Sequence, residues 1–136
     1  SGPVASELAQ VSVAPIPGKN GWLEHNDLVD RLHAMGTAKV RYRLEVTLDD
    51  QIEGYGLQRD DEITRERRTL RARYQLIDTT TNEVVIDATA ASDAGIDVVN
   101  SEYATIAAEQ TALENLTRDV ADRIVTRLAL RLRDKS

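Results

Sequence analysis

The chain has 136 residues, a formal net charge of −6 and 41% apolar residues, which fits one globular domain with a modest core and excludes a disordered chain. The acidic balance argues against a general nucleic-acid binder, which needs positive charge to displace counterions. There is no cysteine, so disulfides, thiolate metal sites and cysteine nucleophiles are excluded, and no apolar run approaches a membrane span.

Ser1-Gly2 reads as a cloning scar, and residues 1–6 as a tag remnant or flexible N-terminus of a single domain spanning 1–136. Leu8 to Ile16 reads as a first strand closed by Pro15 and Pro17. Trp22 to Met35 carries Leu28, Leu32 and Met35 at helical spacing, with Gly36 as the stop. From Val40 to Leu48 every even residue is apolar and every odd one polar up to Thr47. That alternation is the signature of a sheet with one covered face. Gly54-Tyr55-Gly56 and Asp60-Asp61 mark a bend and a hairpin end. The next strand, about Ile63 to Ile77, puts Leu70, Ala72, Tyr74 and Leu76 on one side and Arg65, Arg67, Arg71 and Arg73 on the other. Thr79 to Asn82 is a turn, Glu83 to about Ala91 a last strand, and Asp93 to Asn100 a loop. From Ser101, an N-cap residue, one long helix follows. Its apolar stripe is Ile106, Leu113, Leu116, Val120, Ile124, Leu128 and Leu132.

Two helices each need a surface for their stripe, and the strands each have one apolar face. The expected fold is α+β: a two-layer sandwich with two helices packed on one face of a four-stranded, mainly antiparallel sheet, in the order β-α-β-β-β-α.

Catalytic motifs are missing. His25 and His33 have no carboxylate partner at metal spacing and read as structural. Gly54-Tyr55-Gly56 lacks the third glycine and following helix of a dinucleotide loop, and reads as a strand irregularity. Asp49-Asp50 and Asp60-Asp61-Glu62 lack alternating calcium-ligand spacing and read as a solvated hairpin end. No nucleophile, base and orienter set is present, so the expectation is a non-enzyme with no metal and no cofactor.

The outward face of the sheet is the informative feature. Arg41, Arg43, Arg65, Arg67, Arg71 and Arg73 share the parity that points away from the helices. One register sets Glu45 opposite Arg71, Asp49 opposite Arg67 and Arg73 opposite Asp87, making three cross-strand ion pairs. Arg43, Arg65 and Arg41 then have no carboxylate opposite. A two-residue slip would keep the facing and change the partners. Either the face is a set of salt bridges, or its surplus guanidinium groups grip an anion, for which arginine forks suit phosphate and carboxylate.

The stretches VSVAPI, YRLEVTL, TRERRTLRARYQLID and, above all, SEYATIAAEQTALENLTRDVADRIVTRLAL resemble LptE, the lipopolysaccharide-assembly lipoprotein family of the Gram-negative outer membrane, in its alphaproteobacterial type. The resemblance implies the fold just described. It also implies a plug inside an LptD-type outer-membrane β-barrel that helps the barrel assemble and binds lipopolysaccharide. Basic sheet residues serve that binding in the family, and Arg43 in RLEVTL is the best match. Arg65, Arg67 and Arg41 extend the candidate set by geometry. Family members are anchored in the outer membrane through an N-terminal lipidated cysteine, which is expected upstream of Ser1. The alternative is a periplasmic envelope-assembly adaptor of the same fold with a protein partner only.

Overall fold

In the computed structural model, residues 3–57 and 63–135 are described. The order is α1 (Pro3–Ala9), β1 (Val11–Val13), α2 (Gly21–Leu32), β2 (Tyr42–Leu57), β3 (Ile63–Asp78), β4 (Val84–Asp97) and α3 (Glu102–Lys135). The sheet order is β1-β2-β3-β4. β1 runs parallel to β2, and the other two pairings are antiparallel. The sheet is therefore mixed and mainly antiparallel, and α2 is the crossover that a parallel neighbour requires.

Alternation sets the layers. Leu44, Val46, Leu70, Ala72, Tyr74, Leu76, Ile86 and Ala90 are buried on one face. They form one core with Leu28 and Leu32 of α2 and with Leu116, Val120, Ile124, Leu128 and Leu132 of α3. From Arg43 to Tyr55 in β2 and from Arg65 to Gln75 in β3, the odd-numbered residues face outward with no described layer over them.

Five local expectations change. The first strand is only Val11–Val13, because Leu8 and Ala9 belong to α1, which lies against α2 and α3. Helix α2 stops at Leu32, leaving Met35 74% exposed, and Gly36 takes the positive φ of the following turn. There is no bend at Gly54, which pairs with Glu66 in the regular ladder. The expected loop from Asp93 is strand as far as Asp97. The buried stripe of α3 begins at Ala112, and Ile106 is exposed. The Asp60-Asp61-Glu62 hairpin end lies outside the described residues.

Both histidines have a structural task. Gln10 and Ala14 turn their backbone groups toward β2, so the carbonyls of Val11 and Val13 point out of the sheet edge. His33 Nε2 bonds the Val11 oxygen at 2.8 Å and His25 Nε2 the Val13 oxygen at 3.1 Å. The imidazoles of His25 in α2 and of His33, its C-cap, thus satisfy the edge carbonyls of β1.

Glu24 is the anomaly of the core. It is fully buried, and neither carboxyl oxygen has a hydrogen-bond partner among the described residues. Burial, reinforced by the Asp27 charge and opposed by Arg31, pushes its pKa up to about 8. The folded state therefore keeps a proton that the unfolded chain releases near its ordinary value, so stability falls as pH rises from about 4.5 to about 8. Glu24→Met should raise the urea midpoint at pH 8 more than at pH 5; equal shifts at both pH values would show that the carboxyl does not carry this dependence.

Gly21 opens α2 against the Ile16 carbonyl, where an added Cβ would overlap that oxygen. Gly21→Ala should destabilise by about 2 kcal/mol, measured by thermal unfolding.

Candidate ligand-binding face

The strand pairing decides what the outward arginines can do. In β2 and β3, Glu45 lies opposite Gln75 and Asp49 opposite Arg71. The expected Glu45–Arg71 and Asp49–Arg67 pairs are not made. Both strands extend to Leu57 and Ile63, which moves the turn further along the chain and shifts every partner without changing which face it occupies. Arg73 does pair with Asp87 at 3.1 Å, but diagonally, since Thr89 is its direct neighbour.

The arginines that seemed surplus have partners. Arg43 bonds Glu45 at 2.8 Å along its own strand. Arg65 lies opposite Asp97, 3.6 Å away. Arg67 reaches Asp93 at 2.8 Å, and that bond leads the causes holding its guanidinium pKa above the usual value. Arg41 lies 3.8 Å from Asp78. Asp78 is held below the ordinary carboxylate range chiefly by its hydrogen bonds to the Thr80 hydroxyl and amide. Arg71 alone of the six has no ion pair or hydrogen bond among the described residues. Its β4 neighbour is Ala91, and Asp49 opposite accepts from Gln51.

The face is thus a basic column on β3 between acidic positions on β2 and β4, rather than a simple positive patch. Its pairs are weak. The side chains of Arg43, Arg65 and Arg67 keep 38%, 55% and 49% of their exposure, and exposed pairs contribute at most about 1 kcal/mol. An incoming phosphate or carboxylate can replace such partners at little cost.

The four candidate residues do not form one site. Arg41 and Arg43 sit where β2 begins, beside Asp78 at the end of β3. Arg65 and Arg67 sit near the hairpin end, roughly 40 Å away along the strand at about 3.3 Å per residue. Tyr55 lies opposite Arg65, and Tyr55, Arg67, Glu53, Gly54 and Thr69 line a shallow depression. Gly95 lies beside this group. A Cβ there would stand 3.4 Å from an Arg65 nitrogen and 4.0 Å from the Tyr55 hydroxyl. Tyr55 and Gly95 are the residues that strand alternation alone does not single out, because neither is charged.

A second polar group holds this end from the helix side. Arg68 has the opposite parity. It binds both oxygens of Asp50, at 2.9 and 2.7 Å, and donates to the Glu109 carbonyl at 2.8 Å. Asn20 also donates to Asp50. Beside it, a hydrogen bond to Glu109, followed by burial, pushes Glu66 up to about 7. Arg68 ties β2, β3 and α3 together beneath Arg65 and Arg67. Among the described residues no group of three or more acidic or histidine side chains could hold a metal ion, and no helix is long and apolar enough to cross a membrane.

The sequence model of the LptE family, described as lipopolysaccharide-assembly, matches residues 8–128. The chain belongs to the LptE family. Solved structures share its fold at low identity. A candidate lipoprotein from Caulobacter crescentus is 21% identical, with a TM-score of 0.75 and 95% of each chain covered. A minor lipoprotein from Acinetobacter baumannii is 16% identical, with a TM-score of 0.72 over 90% of this chain and 92% of that one. Rare lipoprotein B from Shewanella oneidensis is 9% identical, with a TM-score of 0.69 over 87% and 94%. No curated protein matches the chain by sequence. This LptE chain thus carries its arginine column on the sheet face that its helices leave bare.

The Arg68–Asp50 pair is mostly buried, with side-chain exposures of 11% and 19%. Arg68→Met strands the Asp50 carboxylate and should cost about 3 kcal/mol in urea unfolding, whereas Arg73→Met at an exposed pair should cost under about 1 kcal/mol. Equal costs would show that Arg68 is no rivet.

Proposed function

We propose that this LptE protein is a non-enzymatic component of the outer-membrane lipopolysaccharide assembly machine, seated in an LptD-type β-barrel, anchored by a lipidated N-terminus, and binding lipopolysaccharide through its bare sheet face. Family membership across residues 8–128 is the observation that carries this reading. The exposed guanidinium groups, held by weak and replaceable pairs, supply the chemistry for a phosphorylated glycolipid.

Two clusters are available, Arg41 with Arg43 and Arg65 with Arg67. They are too far apart for one phosphate group to touch both. The reading with a protein partner only also draws support from a specific observation: most of the face is already matched by its own carboxylates.

Co-expression with the cognate barrel should yield a complex that co-purifies, and a barrel recovered without this chain would overturn the plug reading. For the ligand, Arg43→Asp should weaken lipopolysaccharide binding about ten-fold, the scale of one lost charge-assisted hydrogen bond, with an unchanged melting temperature. The Arg65→Gln/Arg67→Gln variant tests the other cluster in the same titration. If neither variant weakens binding, the sheet face is not the site; a parent chain that forms the barrel complex but binds no lipopolysaccharide at all would make the protein-only adaptor the correct function.

A further inference from the structure

β4 is the last strand of the sheet, and its outer side is an open edge. In an antiparallel strand, alternate residues turn both N–H and C=O toward the same side. One set in β4 bonds β3. The other points away from the sheet, and among the described residues it meets no backbone partner. Unpaired groups of this kind are a template for a further strand.

Proteins commonly block such edges with proline, lysine or a bulge, and the two edges of this sheet differ in this respect. On the far side, β1 covers β2 from Tyr42 to Leu44, and Pro15 and Pro17 stand beside Glu45 and Thr47. β4 has no proline and no lysine from Val84 to Asp97. Its ladder with β3 runs without a shift from Ile86 to Asp97.

The charges on β4 select what can add to it. They are Asp87, Asp93 and Asp97, and each is matched by an arginine of β3, namely Arg73, Arg67 and Arg65. The edge is thus close to neutral and demands no basic partner. What remains is the rule that like charges must not stand directly opposite across a ladder.

A second copy of β4 meets that rule in one long register. Two identical antiparallel strands are related by a two-fold axis, and residues directly opposite share a face. With Ala91 on the axis, the strands pair over their whole length from Val85 to Asp97. Asp93 then faces Thr89, Asp87 faces Gly95 and Asp97 faces Val85. On the helix side, Ile86 faces Ile96. Moving the axis to Ala90 sets Asp87 opposite Asp93, and moving it to Ser92 sets Asp87 opposite Asp97.

We propose that β4 pairs with β4 of a second copy, antiparallel about Ala91, to give a two-fold dimer with one continuous sheet. The proposal goes beyond the barrel and lipopolysaccharide reading and concerns the chain free of both.

The test is sedimentation equilibrium of the whole chain with neither barrel nor lipopolysaccharide present. Edge pairing buries little apolar surface, so the dimer should form as a concentration-dependent equilibrium. A single 15.1 kDa species at every concentration up to about 1 mM overturns the dimer. The chain has no cysteine, so one introduced thiol reports the register. Ala91→Cys should give a disulfide-linked dimer under mild oxidation, because opposite Cα atoms lie about 4.5–5.5 Å apart, within disulfide reach. Thr89→Cys should not, since its counterpart lies four residues along the ladder, roughly 13 Å away. Equal cross-linking of the two variants overturns the register. Ala91→Lys places like charges on the axis and should raise the dimer dissociation constant about five-fold. Thr89→Lys sets a cation opposite Asp93 of the second copy and should lower it by about the same factor, a gain that misfolding cannot produce. Shifts in the same direction for both lysine variants overturn the pairing. Arg43→Asp should leave the dimer unchanged, so this proposal and the ligand reading fail separately.

Discussion

The long β2–β3 pairing is the constraint on which the rest depends. Its register holds from Tyr42 opposite Asp78 to Leu57 opposite Ile63. Because side chains alternate strictly, this one ladder sends Leu44, Val46, Leu70, Ala72 and Tyr74 under the helices and Arg43, Arg65, Arg67, Arg71 and Arg73 to the open side. β4 extends the same alternation. α2 and α3 have only one apolar surface to cover, so both layers and the bare face follow from it.

The open side is a balanced field in which guanidinium groups lean on carboxylates they can exchange. Arg65 and Arg67 draw theirs from Asp97 and Asp93. A face built this way keeps an acidic protein from presenting a permanently sticky basic patch, yet leaves its arginines available when a stronger anion arrives. Beneath it, the Arg68–Asp50 pair fixes the same end from the core side.

The alternation of the central strands was legible because one face is buried and the other wet, which is the condition under which period two is strongest. The partners of the arginines were not. Register is set by where the turn falls, and a slip that preserves parity leaves the pattern of apolar and polar residues unchanged. The β4 extension was hidden because Ser92, Asp93, Ala94 and Gly95 have low strand propensity and form strand only through pairing with β3. Helix α1 was obscured by its short length. Ile106 continues the stripe of α3 in sequence, but the helix there runs ahead of the core, so periodicity marked burial that packing does not provide. Arg68 escaped notice because a cation on the apolar parity looks like an error until Asp50 is seen beside it.

The three-residue β1 has a mechanical consequence. It joins the sheet by parallel pairing at Val11, Ser12 and Val13, and its outer carbonyls rest on the imidazoles of His25 in α2 and of its C-cap His33. The β2–β3–β4 meander is far more extensively bonded. Under a pull on the N-terminus, α1 and β1 are therefore the piece that peels first. The meander and α3, with the denser bonding, would stay folded while that leading segment lengthened.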